Sequence, residues 1–247
     1  MINSNKNYLI TGCSSGIGKA LTLSLLNSGS NVFGISRDNL KVQEIIEEYP
    51  DNFFFKSVDL GAPLDLGNAV EEFVAKYGKF NGMVYCAGKE ETLPLSMYTP
   101  AKLAELFNIN FNSLFEIFRL VSRKKSCEDM SSFVFLSSVM GELGQAGKTG
   151  YCATKAAILG LVKAAALEFS SRKIRVNAIS PGIVDTPMAQ QLFTLIDDSN
   201  KQAIIDMHPL GIGKTEDIVP LITFLLSDDS RWITGQNIKI DGGYSVK

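Results

Sequence analysis

The chain has 247 residues, 45% hydrophobic and 20% charged, with a formal net charge of −2. That length suits one large α/β domain or two small ones, and the composition is enough for a substantial core. Near-neutral charge offers no electrostatic footprint for nucleic acid or an anionic membrane, and apolar runs such as Val219 to Leu226 are too short to span a bilayer. The polar start, Met1 to Tyr8, lacks the apolar core of a signal peptide, so a cytoplasmic protein is expected. Cys13, Cys86, Cys127 and Cys152 form no C-x-x-C pair and His208 is the only histidine, so neither a zinc site nor a disulfide framework is expected.

A predicted strand, Asn7 to Thr11, runs into Gly12-Cys13-Ser14-Ser15-Gly16-Ile17-Gly18 and then a helical pattern to Ser28. Glycines let the backbone turn tightly and approach a pyrophosphate, and the following helix presents free N–H groups and its dipole. The spacing is G-x-x-x-G-x-G, not the general G-x-G-x-x-G. A second strand, Asn31 to Ser36, ends beside Arg37. An acidic residue there would bind an adenine ribose 2′-OH, whereas a guanidinium can clamp a 2′-phosphate. Arg37 can equally be a surface charge, and Asp38 follows it. After the strand Phe53 to Val58 come Asp59 and Leu60, where Asp59 either lies near an adenine or caps the strand end.

The helical pattern Asp65 to Tyr77 precedes a strand at Gly82 to Tyr85 and then Cys86-Ala87-Gly88. Lys89 to Ser96 carries Glu90 and Glu91, which either contact a polar part of a substrate or are solvated charges. A long helix is expected over Pro100 to Lys125. Leu106, Phe107, Ile109, Phe111, Leu114, Phe115 and Phe118 make it apolar around most of its circumference. One stripe suffices to cover a sheet, so the excess points to a second subunit, or to a deep core. The strand Ser132 to Ser137 meets Ser138, and a second long helix runs from Tyr151 to Ser171. The strand Ile174 to Ile179 leads to Pro181-Gly182-Ile183 and Thr186, which can cap the next helix. A long connection from Met188 to Gly213 has the length of a substrate lid. Its Leu192, Phe193, Leu195, Ile196, Ile204, Ile205 and Met207 line a pocket or pack two short helices, and His208 reads as structural. The strand Asn237 to Ile240 closes the series. This alternation implies an α/β fold: a doubly wound, seven-stranded parallel sheet with helices on both faces, forming one domain over residues 1–247.

Tyr151 and Lys155 are four apart on one helical face, so a phenol and an ammonium converge. A phenol titrates near ~10, and a neighbouring ammonium favours phenolate. Lowering it by three pH units would take roughly 4 kcal/mol. With Ser138 donating to the same oxygen, the group suits proton transfer to a carbonyl oxygen. An ordinary exposed helical pair would show the same spacing.

Taken together, these motifs are similar to those of the short-chain dehydrogenase/reductase family, in its compact single-domain branch. The family's T-G-x-x-x-G-x-G is present as Thr11 to Gly18, and its Ser…Y-x-x-x-K as Ser138, Tyr151 and Lys155. Its N-A-G element appears as Cys86-Ala87-Gly88, with cysteine replacing asparagine. Its asparagine after the fourth strand matches Asn110, its P-G-x-x-x-T matches Pro181 to Thr186, and Thr234-Gly235 with Asp241-Gly242-Gly243 matches its C-terminal signature. Overall length and the stretch Val139 to Tyr151 look most similar to 3-oxoacyl-[acyl-carrier-protein] reductases.

The resemblance implies a Rossmann fold and hydride transfer between a nicotinamide and a ketone or alcohol, with NADP(H) preferred and NAD(H) as the alternative. It implies that Tyr151 is general acid, Ser138 orients the carbonyl, Lys155 holds the ribose, Asn110 holds a water that resupplies protons, and Thr186 bonds the nicotinamide carboxamide or the pyrophosphate. It further implies a small ketone substrate, carried or not by an acidic carrier protein that Arg123, Lys124, Lys125 and Arg172 would meet, and a homotetramer. A sugar-derived ketone, or a non-catalytic NADP(H) sensor, stays as the alternative.

Overall fold

The computed structural model describes residues 5–62 and 65–246. Among them, β1 (Asn7–Thr11), β2 (Asn31–Ser36), β3 (Phe53–Ser57), β4 (Phe80–Tyr85), β5 (Cys127–Leu136), β6 (Arg175–Pro181) and β7 (Asn237–Ile240) form one sheet. Its order is β3-β2-β1-β4-β5-β6-β7, and every pairing is parallel. The chain steps outward from β1 to β3, returns to lay β4 beside β1, and steps outward the other way. The order therefore reverses between β1 and β4, and in open α/β sheets the crevice beyond the strand ends at such a point is where ligands sit.

The helices are α1 (Gly16–Asn27), α2 (Gln43–Glu48), α3 (Gly67–Tyr77), α4 (Pro100–Phe107), α5 (Ser113–Val121), α6 (Thr149–Glu168), α7 (Pro187–Phe193), α8 (Asp198–Asp206) and α9 (Thr215–Leu226). Adjacent strand residues feed opposite cores, because side chains alternate across a pleated strand. Leu9, Phe33 and Phe133 join α3, α5 and α6 on one face. Ile10, Val32 and Val134 join α1 and α9 on the other. Phe73 of α3 stacks on Phe80 at 4.6 Å and on Phe33 at 5.6 Å, which pins α3 across β2 and β4.

Several boundaries differ from expectation. β4 starts at Phe80 and β5 at Cys127, with a register shift between Phe80 and Gly82. The exposed Glu128 to Met130 hide the start of β5 from any apolar pattern. β3 ends at Ser57 and β6 runs on to Pro181. The helix expected over Pro100 to Lys125 is interrupted by a π turn at Asn108–Asn112 and ends at Val121. π turns are frequent at functional sites. Helix α6 spans Thr149–Glu168 and is the one helix among the described residues long and apolar enough to cross a membrane, which the shorter runs in the sequence did not suggest. Ile158, Val162 and Ala165 place it in the core against the sheet.

The apolar excess on the long helices is real. Leu114, Ile117, Phe118 and Val121 are buried, yet Phe115 remains 49% exposed and Leu167 of α6 78% exposed.

Candidate active site

The glycine loop is shaped by backbone contact. Gly12 has φ +70°, and a Cβ there would lie 3.1 Å from the Ala87 amide nitrogen, while one on Gly18 would overlap the Gly12 carbonyl. Thr11 Oγ1 accepts from the backbone N–H groups of Cys86 and Ala87, both at 3.1 Å, and so ties β1 to β4 at the switch point. Ser14 and Ile17 are half-buried, and Ser15 is exposed and makes no side-chain cap at the start of α1. Gly16 sits against the Thr186 methyl, bringing the loop after β6 onto the loop after β1.

At the end of β2, Ser36 Oγ is buried without a hydrogen-bond partner. A buried hydroxyl left unpaired costs free energy, so such an atom marks a place where something else binds. Asp38 accepts from the Leu40 N–H at 3.0 Å and pairs with Lys41 at 3.5 Å. Arg37 is exposed. Asp59 caps its own turn, accepting from the Gly61 N–H at 2.9 Å, and Leu60 is buried beside it. An orphaned hydroxyl at the ribose position, a cradle closed to any Cβ and uncapped helix N–H groups together fit a dinucleotide.

The reacting group lies across the switch point. Lys155 is buried, donates to the Leu136 carbonyl at 2.9 Å, and lies 5.7 Å from the Tyr151 ring centre. Ser138 caps the turn after β5, accepting from the Met140 N–H at 3.2 Å. Asn110 in the π turn is fully buried. Its Oδ1 accepts from the Lys89 N–H at 2.8 Å, and its Nδ2 donates to the Lys89 carbonyl and to Thr154 Oγ1 at 3.0 and 3.1 Å. That is the arrangement of a core asparagine satisfying backbone at a helix irregularity, and it commits the side chain expected to hold a water. Gly88 lies against both Asn110 and Lys155.

Electrostatics run opposite to the sequence expectation for Tyr151. Burial pushes its phenol up to about 12, partly opposed by the Ser138 hydroxyl, with Glu90 pushing upward too. Burial also drives Lys155 down to about 8. Desolvation is the largest cause of both shifts, and neither group figures among the causes of the other's. The phenol thus carries its proton at neutral pH, and the upward shift makes it a weaker donor than a free phenol.

On the lid side, Thr186 donates to the Val184 carbonyl at 3.1 Å and accepts from the Ala189 N–H at 3.4 Å, capping α7. Gly182 and Ile183 are half-buried where β6 ends at Pro181. His208 is structural: one ring nitrogen contacts the Ile204 carbonyl at 2.8 Å, the other accepts from the Ile183 N–H at 3.2 Å, and the ring packs on Tyr244 at 4.8 Å. None of the seven apolar residues singled out between Leu192 and Met207 is fully buried.

Two expectations need correction. Glu90 is not a solvated charge: it pairs with the buried Lys148. Lys148 was not singled out in the sequence, because it precedes α6 and helical spacing does not mark it. The basic residues assigned to a carrier protein lie at the wrong end. Arg123, Lys124 and Lys125 sit between α5 and the start of β5, and Arg172 sits before the start of β6, at the sheet edge opposite Ser138 and the glycine loop. Lys125 pairs with Glu71, and Arg172 with Asp129 at 2.7 Å.

A family model described as "Enoyl-(Acyl carrier protein) reductase" matches residues 12–245. A protein of Thermotoga maritima named 3-oxoacyl-[acyl-carrier-protein] reductase FabG is 35% identical over 248 residues, covering 98% of both chains. The chain belongs to the short-chain dehydrogenase/reductase family. Two solved structures overlay closely on it. One, 4-hydroxyisoleucine dehydrogenase complexed with NADH, has a TM-score of 0.89 and 28% identity over 98% of this chain and 99% of that one. The other, ElxO with NADP bound, has a TM-score of 0.86 and 29% identity over the same shares. The chain is thus an oxidoreductase of this family, with the Rossmann-like fold expected from its sequence.

Proposed function

We propose that this chain is an NADP(H)-dependent ketoreductase that reduces a 3-oxoacyl thioester, free or carrier-bound, to the secondary alcohol. The observation that carries the reading is a half-buried Tyr151 flanked by Ser138 and by Lys155 one helical turn on, at the strand ends where the glycine loop opens. The Thermotoga relative's name supports the substrate class.

The bound nicotinamide supplies the hydride. In this reading Gly12, Ser14, Ser15, Gly16, Ile17 and Gly18 hold the pyrophosphate, Ser36 and Arg37 read the adenine ribose, and Asp59 and Leu60 border the adenine. Cys86-Ala87-Gly88 back the nicotinamide half, and Pro181-Gly182-Ile183 with Thr186 hold its carboxamide end. Tyr151 protonates the developing alkoxide as general acid, and Ser138 donates a second hydrogen bond to that oxygen. Lys155 orients the nicotinamide ribose, and proton resupply is assigned to the π turn at Asn110. Residues 1–247 act as one nucleotide-binding unit, with residues 188–213 covering the substrate. The exposed Leu103, Phe115 and Leu167 support a cytoplasmic homotetramer built on the long helices, which light scattering tests.

The deciding experiment follows NADPH absorbance with acetoacetyl thioester, crotonyl thioester, small ketones and a ketose. Acetoacetyl thioester should be reduced and crotonyl thioester left unchanged. Turnover of crotonyl thioester alone would assign double-bond reduction instead, and preference for the ketose would assign a sugar-derived substrate. Binding of NADPH with no turnover of any ketone would make the protein a sensor.

A further inference from the structure

Lys148 precedes α6 and is 7% exposed. Its ammonium donates to Glu90 Oε1 and, at 3.1 Å, to Thr92 Oγ1, and Thr92 itself donates to Glu90 Oε1 at 2.9 Å. The loop carrying Glu90 and Thr92 is pinned to the start of α6 by the Leu93 N–H, which donates to the Gly147 carbonyl at 2.7 Å. An ammonium has three donors. Two are used here, and the third has no protein acceptor among the described residues.

That ammonium lies 5.9 Å from the Tyr151 ring centre, and Lys155 lies 5.7 Å from it. The phenol ring therefore has two lysines near it, Lys148 from the residue that precedes α6 and Lys155 one turn on. Lys155 is turned inward to Leu136 and Gly88, on the cofactor side of the reading above. Lys148 stands on the other side, beneath the loop after β4. A ketone close enough to take the Tyr151 proton comes within reach of its spare N–H. Beside it, the Tyr98 hydroxyl and the Glu91 carboxylate face each other, and the carboxylate pushes the phenol upward after burial.

We propose that Lys148, braced by Glu90 and Thr92, is a specificity residue whose free N–H binds a second, neutral carbonyl oxygen of the substrate, so that the enzyme selects 1,3-dicarbonyl compounds over simple ketones. The partner must be an acceptor, because an ammonium offers only donors. It must be uncharged, because Glu90 already neutralises Lys148 and a substrate carboxylate would meet Glu90 and Glu91 in a water-poor site. A thioester, ester or amide carbonyl beside the ketone satisfies both conditions. This inference rests on Tyr151 as the proton donor. It adds a determinant of substrate choice that the Ser138, Tyr151 and Lys155 group does not contain.

The test measures kcat/KM for matched pairs, acetoacetyl N-acetylcysteamine thioester against the analogue whose thioester carbonyl is a methylene, in the wild type and in Lys148→Met, Lys148→Gln and Glu90→Gln. A charge-assisted hydrogen bond of typical strength predicts that Lys148→Met narrows the dicarbonyl preference by about 10–100-fold. Lys148→Gln, which keeps a donor, should restore part of it. Glu90→Gln should change the ratio less, through KM more than kcat, as befits a positioning residue. NADPH affinity, read by fluorescence, reports whether each variant still folds. Equal losses on both substrates, or an unchanged ratio, overturn the role of Lys148 while leaving the ketoreductase reading intact. Failure of the wild type on every ketone overturns the reading itself.

Discussion

The two edges of the sheet treat buried polar groups in opposite ways. At the N-terminal edge they are satisfied within the chain. Asn7 Nδ2 donates to the Tyr77 and Lys79 carbonyls, and Ser132 Oγ to the Leu225 carbonyl. The Arg175 guanidinium donates to the Leu225 and Ser227 carbonyls and to Ser230 Oγ. At the C-terminal edge Ser36 Oγ is buried without a partner, the Tyr98 hydroxyl faces the Glu91 carboxylate, and burial displaces Tyr151 and Lys155 from their ordinary titration ranges. Unmet polar groups cost stability, so their gathering at one edge marks where the protein keeps donors and acceptors for something other than itself.

That contrast sets the expected outcomes. The largest effect is at the C-terminal edge: Tyr151→Phe should cut kcat by about 10²–10⁴-fold while NADPH affinity stays nearly intact. Single-turnover absorbance and fluorescence titration measure the two, and retained turnover would refute the acid assignment. At the other edge, Arg175→Met should remove three charge-assisted hydrogen bonds at once, leaving the Leu225 and Ser227 carbonyls only their neutral serine donors. A loss of about 3–5 kcal/mol in urea unfolding is expected, with kcat/KM of the folded fraction little changed. A fall in activity with little loss of stability would erase the distinction between the edges.

Arg37→Ala should reduce the NADPH-over-NADH ratio of kcat/KM by about 10–100-fold, the worth of one charge-assisted hydrogen bond. A wild type that prefers NADH would overturn the NADP(H) assignment.

The smallest effect concerns Lys155. Its fall from 10.5 to about 8 corresponds to about 3 kcal/mol of destabilisation at neutral pH. Lys155→Met removes that cost and leaves the Leu136 carbonyl unpaired, so the inactive variant should be about 1–2 kcal/mol more stable at pH 7. The sign follows from linkage. Between pH 8 and 10.5 the unfolded chain binds the proton that the folded site releases, so the wild type gains stability as pH rises through that window. The variant's advantage should therefore shrink from pH 8 upward. An advantage that grows with pH would mean that Lys155 is charged and well paired in the fold.

Much of this could be read in the chain. Each strand is short, apolar and followed by a helical pattern, so Asn7–Thr11, Asn31–Ser36 and Asn237–Ile240 coincide with their expected spans. The glycine loop and the Tyr151–Lys155 spacing were legible because backbone reach and helix periodicity are local. The start of β5 was hidden because Glu128 to Met130 are exposed and carry no apolar signal. The break at Asn108–Asn112 was hidden because a π turn costs one backbone bond and leaves the apolar pattern unchanged. Asp59 and Thr186 each had two readings, and the cap geometry of both is now visible.

By itself the sequence determined the alternation of strands and helices, the loop that only glycine can form, and a phenol one turn from an amine. These are short-range properties of φ/ψ freedom and helical repeat. Only the tertiary structure decided that Lys148 and Glu90, 58 residues apart, meet beside that phenol, and that the basic cluster lies at the far edge of the sheet. It alone decided that burial, not Lys155, sets the titration of Tyr151. Desolvation and long-range pairing depend on what surrounds a group in space, which no spacing along the chain records.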